Sequence, residues 1–185
     1  MPYSSPAGKR KLFEYIYSRV PISSKILDVG AGSGIYHEML SRNGYDNMDA
    51  IEAFPNYILD FYLRDKYNNV YQINALDFDY SKGDYDLVIL GDILEHLSEE
   101  DARILLDKIF PYAKTIVVSV PYNSIQGTEY GNKLEIHLQP ELTKEKFKEL
   151  CPEFTCIADE TIGEYHVGMW IWEKENEVQN ANTKT

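Results

Sequence analysis

The chain has 185 residues, of which 44% are hydrophobic and 26% are charged, as in ordinary globular proteins with a buried core. Its formal net charge of -12 repels polyanions and disfavours double-stranded nucleic acid as a partner. The sequence shows no signal segment and no apolar run of membrane-spanning length, so we expect a cytoplasmic protein. We expect Cys151 and Cys156 to be reduced thiols, with a disulfide between them as the alternative.

Hydrophobic periodicity predicts helices and strands in alternation. A leading helix over 9–20 ends at Pro21, and Pro55 occupies the first turn of a later helix. The predicted helices are 9–20, 35–43, 55–67, 98–110 and 143–151. The predicted strands are 25–30, 47–54, 69–75, 85–94, 113–123, 154–163 and 164–174.

This alternation predicts an α/β fold, a doubly wound and mostly parallel seven-stranded sheet. The last two strands are expected to form an antiparallel hairpin through Gly163. We expect one domain over 1–174 and a polar, disordered tail over 175–185. The stretch 124–140 has little periodicity, and long loops of this kind often carry function.

The run D-V-G-A-G-S-G follows the first predicted strand and contains Asp28, Gly30, Gly32 and Gly34. Glycines at this place let the backbone turn tightly and approach a ligand, although a turn without a ligand is the alternative. A dinucleotide fingerprint needs a glycine three residues beyond Gly32, where Ile35 stands, so NAD fits less well.

From Lys25 to Glu173 the order and spacing of these motifs resemble the class I S-adenosylmethionine-dependent methyltransferases. The resemblance implies a Rossmann-like methyltransferase fold and S-adenosyl-L-methionine as the cofactor. It places Glu52 at the ribose hydroxyls, with Ala53 beside it in A-I-E-A-F. Asp28 is expected either to accept hydrogen bonds from a cationic amino group or to hold the glycine loop.

Further site residues follow from the same resemblance. Asp77 is the position that accepts from the adenine amino group, with Leu76 as a backbone contact, although a polar loop without a ligand is the alternative. Gly91 would permit close backbone approach to the methionine part of the cofactor, and Asp92 would face it.

Glu95, His96 and His137 are the predicted catalytic residues, because an imidazole near neutrality can act as a general base toward a hydroxyl acceptor. For the pair Glu95 and His96, a helix cap and a packed histidine are the structural alternative. With Asp92 and His137 the pair also resembles the metal ligands of small-RNA 2′-O-methyltransferases and some quinone O-methyltransferases, apart from the shorter acid at Asp92.

The predicted function is methyl transfer to a small-molecule acceptor, a metabolite or a sugar-type hydroxyl or amine. The long loop offers it polar groups, namely Tyr122, Asn123, Tyr130, Glu135 and His137. Three alternatives remain: a noncatalytic cofactor-binding subunit, a metal-assisted O-methyltransferase acting on an RNA end or a quinone-like hydroxyl, and an NAD-dependent oxidoreductase. The sequence does not indicate an oligomeric state.

Overall fold

A seven-stranded sheet organises the protein in a computed structural model that describes residues 6–175. The strands are β1 (Ile26–Val29), β2 (Met48–Ile51), β3 (Asn69–Tyr71), β4 (Tyr85–Gly91), β5 (Ala113–Pro121), β6 (Thr155–Ile162) and β7 (Tyr165–Glu173). Their order across the sheet is β3-β2-β1-β4-β5-β7-β6. β1 to β5 pair in parallel, whereas β7 is antiparallel to both of its neighbours. This arrangement confirms the predicted fold class.

Helices cover both faces of the sheet. They are α1 (Lys9–Arg19), α2 (Ile35–Ser41), α3 (Pro55–Asp60), α4 (Leu63–Lys66), α5 (Glu99–Ile109) and α6 (Lys144–Leu150). The first four contribute to one hydrophobic core and the last two to a second core. The chain therefore changes faces between α4 and α5, as in doubly wound folds.

The central strand β4 shows how the two cores are built. Leu87 and Ile89 pack with the first core, whereas Val88 and Leu90 pack with the second. Alternate side chains of a strand point to opposite faces, so a strand covered on both faces must be apolar throughout. This explains the continuous apolar run that predicted the strand.

The predicted helix over 55–67 is interrupted in the structure. α3 ends at Asp60 and α4 begins at Leu63, because Tyr62 adopts a left-handed backbone conformation with φ of 52°. A non-glycine residue in this region cannot continue a right-handed helix. The break leaves Tyr62 exposed and directs Leu63 into the first core.

Several other predictions concern single features of the chain. The hairpin between β6 and β7 turns at Gly163, which has a φ of 62°, as predicted. Cys151 and Cys156 are free thiols. Within 6–175, no helix is both long enough and apolar enough to cross a membrane. The predicted tail lies outside the described residues, apart from Glu175.

Candidate functional site

One cleft opens where the carboxyl ends of β1, β2, β4 and β5 meet. The helix after β1 packs on one face of the sheet and the helix after β4 on the other, so these adjacent strands mark the switch point. Loops leaving such strands separate and create a crevice, which is the usual ligand site in doubly wound sheets.

The glycine loop forms one wall of this cleft. Gly30, Gly32 and Gly34 have φ values of 73°, 53° and 77°, conformations that L side chains rarely adopt. Gly30 and Gly32 line the cleft, whereas Gly34 lies at the start of α2. The three glycines therefore make the turn that brings the backbone of the loop to the edge of the cleft.

Glu52 is held beside this loop by backbone amides. One carboxylate oxygen accepts a hydrogen bond from the Gly32 amide and the other from the Phe54 amide, both at 2.8 Å. Burial raises the pKa of Glu52 above its ordinary value, while these two hydrogen bonds lower it. Ala53 also lines the cleft. The two backbone amides thus fix the orientation of the predicted ribose-binding carboxylate.

Asp28 lies beneath the loop and does not belong to the cleft wall. One of its oxygens accepts a hydrogen bond of 2.5 Å from the Tyr67 hydroxyl. Burial raises the pKa of Asp28 to about 7, although the hydrogen bond from Tyr67 opposes the rise. The structure favours a supporting position, and the predicted contact with a ligand stays a prediction.

The chain after β3 lines the cleft with residues that precede Leu76 and Asp77, the two residues predicted to contact adenine. Ile73, Asn74 and Ala75 line the wall, whereas Leu76 and Asp77 do not. The Asn74 side chain accepts a hydrogen bond from the Leu76 amide and begins a short 3-10 turn over Ala75–Asp77. This turn carries Asp77 away from the wall, so its predicted adenine contact remains untested.

Gly91 and Asp92 line the cleft at the end of β4. A Cβ atom at Gly91 would lie 2.0 Å from the Tyr36 ring, so the glycine makes room for this buried tyrosine. Asp92, with a φ of 54°, accepts a hydrogen bond from the Ser119 hydroxyl. The buried ammonium of Lys9 lies 3.9 Å from Asp92 and donates to the Tyr36 hydroxyl at 3.3 Å.

Glu95, His96 and His137 come together on the part of the wall formed by the long loop and the turn after β4. The imidazole rings of His96 and His137 lie 4.8 Å apart. Nδ1 of His137 lies 2.7 Å from the Ser124 carbonyl oxygen, and Nδ1 of His96 lies 3.4 Å from that of Ile136. The structure therefore brings the three predicted catalytic residues into one cluster.

The remaining predicted groups of the long loop separate into two sets. Glu135 lines the cleft, and the Gln126 side chain donates a hydrogen bond of 3.0 Å to its carboxylate. Tyr122 is buried and accepts a hydrogen bond from Trp170, and neither Asn123 nor Tyr130 lines the cleft. Of these loop residues, Glu135 and His137 face a ligand site.

Comparison with protein families matches residues 7–155 to the family described as "Methyltransferase domain". The chain belongs to this methyltransferase family. The match confirms the resemblance to the class I S-adenosylmethionine-dependent methyltransferases and the prediction of an enzyme. No curated protein sequence matches the methyltransferase.

Solved structures with the same architecture are distant in sequence. Magnesium protoporphyrin IX methyltransferase from Synechocystis PCC 6803, with bound SAM, is 12% identical with a TM-score of 0.62, over 88% of this chain and 75% of that chain. The N-terminal domain of EvdMO1, with SAH bound, is 15% identical with a TM-score of 0.66, over 90% of this chain and 80% of that chain. The small RNA methyltransferase HEN1 is 18% identical with a TM-score of 0.65, over 91% of this chain and 25% of that chain. The methyltransferase shares their Rossmann-like fold.

Sequence reasoning missed several groups at the site. Asn74 carried a usable signal, since an asparagine two residues before Leu76 can accept from its amide and start a turn. Tyr36, Ser119 and Lys9 carried no such signal, because they are far apart in sequence. Lys9 lies 27 residues before Tyr36 and Ser119 lies 83 residues after it, and the three side chains meet at the Tyr36 hydroxyl. Such a network depends on how α1, α2 and β5 pack together.

Proposed function

We propose that the chain transfers a methyl group from S-adenosylmethionine to a small-molecule acceptor bound in the cleft. The observation that carries the proposal is the pair formed by the glycine loop and Glu52. The loop brings backbone to the cleft edge, and two amides hold the Glu52 carboxylate there. A carboxylate oxygen has a second lone pair, so Glu52 can still accept from ligand hydroxyls.

The rest of this wall fits the donor. Ile73 and Ala75 offer apolar surface for a flat base, and Asn74 adds a polar group between them. Family membership supports the choice of donor, as do the SAM and SAH bound in the two solved structures named above. Glu52, Ala53 and the loop from Gly30 to Gly32 would hold it.

When bound, S-adenosylmethionine supplies a methyl carbon activated by a sulfonium centre. The protein has to align the acceptor and exclude water from the cleft. His137 donates its Nδ1 proton to the Ser124 carbonyl, since a carbonyl oxygen can only accept. Its Nε2 is therefore left as a proton acceptor, which suits a general base toward a protonated nucleophile.

Titration calorimetry with S-adenosylmethionine, S-adenosylhomocysteine and NAD tests this proposal. We expect both sulfur compounds to bind with dissociation constants of roughly 1 to 100 μM and NAD to show no saturable binding. Binding of NAD alone would contradict the proposal and support an oxidoreductase. Binding of S-adenosylmethionine without methylation of any amine, alcohol or sugar in a broad panel would support the noncatalytic alternative.

A second function, metal-assisted O-methylation, is favoured by one observation. Glu95, His96 and His137 each offer a ligand atom, and these atoms lie within 4.8 Å of one another. Nδ1 of each imidazole faces a backbone carbonyl, which orients Nε2 for a metal. Asp92 does not belong to this set, and its carboxylate is engaged by Ser119 and Lys9. Three such ligands suit Zn²⁺ or Mn²⁺ better than Mg²⁺.

Titration of the protein with MnCl2 and ZnCl2 tests the metal function. We expect saturable binding that His137→Ala removes and His166→Ala retains, because His166 lies outside the set. Binding that is the same in both variants would place the metal elsewhere. An RNA acceptor stays the weaker reading of this function, since a chain with a net charge of -12 repels phosphates.

A further inference from the structure

The polar groups of one part of the wall present hydrogen-bond acceptors to the cleft. We name Glu95, His96, Glu135 and His137 the Glu95 cluster. Both imidazoles place Nδ1 against a carbonyl oxygen, so that nitrogen carries the proton and Nε2 of the neutral ring is an acceptor. The two carboxylates contribute acceptor oxygens alone when they are ionised. A bound group must therefore be rich in donors.

The Glu95 carboxylate itself indicates a missing partner. Its side chain is 1% exposed, and neither oxygen has a hydrogen-bond partner on another described residue. Nε2 of His96 lies 3.9 Å from one of these oxygens, which is too far for a hydrogen bond. A buried carboxylate of this kind is stabilised by a ligand that brings positive charge.

The cleft as a whole is negative. Four carboxylates line it, from Glu52, Asp92, Glu95 and Glu135, while no lysine or arginine of residues 6–175 does so. Lys9 is the nearby cation, but it lies behind Asp92 and is paired with it. Beside the Glu95 cluster, a methyl acceptor carrying a carboxylate or phosphate would meet repulsion from Glu95 and Glu135, and no lysine or arginine of the described cleft wall would bind it.

From this arrangement we propose that the methyl acceptor is an amine with an apolar body, which enters the cleft as an ammonium ion and is bound by the Glu95 cluster. The proposal rests on the proposed function, whose acceptor it names. An ammonium group has three donors and no acceptor, which complements the cluster. Leu97, Leu134, Tyr165 and Val167 line the same cleft and offer apolar surface for the body of the ligand.

The reaction then needs one proton to leave the ammonium group. Nε2 of His137 can take that proton, which frees the nitrogen lone pair. The nitrogen forms a bond to the methyl carbon as the carbon–sulfur bond breaks, and the electron pair of that bond stays on sulfur. The products are the methylated ammonium ion, S-adenosylhomocysteine and the proton held by His137, so the two positive charges of the reactants are conserved.

Three ligands of nearly equal size test the proposal: benzylamine, benzyl alcohol and benzoate. Their affinities are measured by NMR titration in the presence of EDTA, for the protein saturated with S-adenosylhomocysteine and for the protein alone. We expect benzylamine to bind about tenfold more tightly than benzyl alcohol, and benzoate to bind more weakly than both. The titration without S-adenosylhomocysteine keeps the result independent of cofactor binding.

Variants that replace one carboxylate with a neutral amide test whether the Glu95 cluster causes the preference for benzylamine. Glu95→Gln and Glu135→Gln should each reduce the advantage of benzylamine at least about threefold, because each removes one negative charge at the cluster. Glu129→Gln is the matched control, since it lies on the same loop and does not line the cleft. Thermal unfolding of each variant checks that the fold is retained.

The outcomes separate the two proposals. Failure of S-adenosylhomocysteine to bind defeats the proposed function, and the titrations of the protein alone still decide the amine proposal. Benzoate binding as tightly as benzylamine overturns the amine proposal, as does the absence of saturable benzylamine binding. A preference for benzylamine that survives both cluster variants, or that Glu129→Gln also removes, overturns it as well.

Discussion

Two walls of the same cleft are built in different ways. The wall of the glycine loop is made by backbone geometry at strand ends, with Glu52 fixed by the amides of Gly32 and Phe54. The wall of the Glu95 cluster is made by side chains from the turn after β4 and from the loop over 124–140. The first wall suits a constant ligand, and the second can change its ligand by exchanging a few side chains.

The largest expected effect comes from a substitution in the wall of the glycine loop, which we call the backbone wall. Gly32→Arg should lower the affinity for S-adenosylhomocysteine at least about a thousandfold, because the long side chain fills the space beside Glu52. Calorimetry measures the affinity, and circular dichroism checks the fold. Gly127→Arg is the control, since Gly127 lies on the long loop without lining the cleft, and a Cβ atom there meets nothing within 4 Å. Unchanged affinity in Gly32→Arg would refute this position of the site.

The next effect tests the support behind the backbone wall. Burial alone lowers the pKa of Lys9, but Tyr36 and Asp92 raise it above its ordinary value. Lys9→Met leaves Asp92 without its cation and should lower the free energy of unfolding by about 3 kcal/mol, measured by urea denaturation. Lys11→Met removes an exposed ion pair with Glu14 and should change it by less than about 1 kcal/mol.

The same Lys9 contact predicts a pH dependence. The pKa of Lys9 is higher in the folded state than in the unfolded state, so its stabilisation is present below the ordinary lysine pKa of 10.5. It is lost as the pH rises through the higher folded value. The difference in stability between the wild-type protein and Lys9→Met should therefore shrink only in strongly alkaline solution. A difference that shrinks near neutral pH would contradict the assignment.

A smaller effect separates chemistry from cofactor binding. His137→Ala should lower kcat about a hundredfold with any acceptor that the protein methylates, and should change the affinity for S-adenosylhomocysteine less than about twofold. The loss should be largest for acceptors that arrive protonated. Equal losses of turnover and cofactor affinity would place His137 in the donor wall. His166→Ala, outside the cleft, is expected to change neither quantity.

The smallest effect concerns the base of the backbone wall. Because the folded pKa of Asp28 is about 7, above its ordinary value of 3.8, its ionisation destabilises the fold increasingly between pH 4 and pH 7. Asp28→Asn should therefore raise the free energy of unfolding at pH 8 by about 2 kcal/mol, with little gain at pH 4. Urea denaturation at both pH values measures the gain. Asp46→Asn, an exposed change, should show no such difference between the two.

The sequence predicted the backbone wall better than the side-chain wall, for a physical reason. Alternating strands and helices, the glycine run and the position of Glu52 depend on local patterns that repeat in doubly wound sheets. The break at Tyr62 and the turn begun by Asn74 depend on single residues within such patterns. After β3, the cleft is lined by Ile73, Asn74 and Ala75, whereas Leu76 and Asp77, which lie in the turn begun by Asn74, do not line it.

The sequence predicted which residues form the Glu95 cluster, but not the hydrogen bonding and the charge around them. The motif identified Glu95, His96 and His137, and the structure brings them together. The unpartnered state of the Glu95 carboxylate and the absence of lysine and arginine from the described cleft wall were not visible in the sequence. Both depend on which residues the loop over 124–140 places beside the turn after β4. Long-range packing of this kind has no local signal.

The position of α1 has a consequence for the order in which the chain can fold during synthesis. The Gly8 amide, just before α1, donates to the Glu160 carboxylate on β6, and a Cβ atom at Gly8 would collide with Met169 on β7. These partners leave the ribosome about 150 residues after α1, at roughly 5 to 20 residues per second in cells. The helix that carries Lys9 must therefore wait for the final hairpin, and the cleft is completed only after the last strand has emerged.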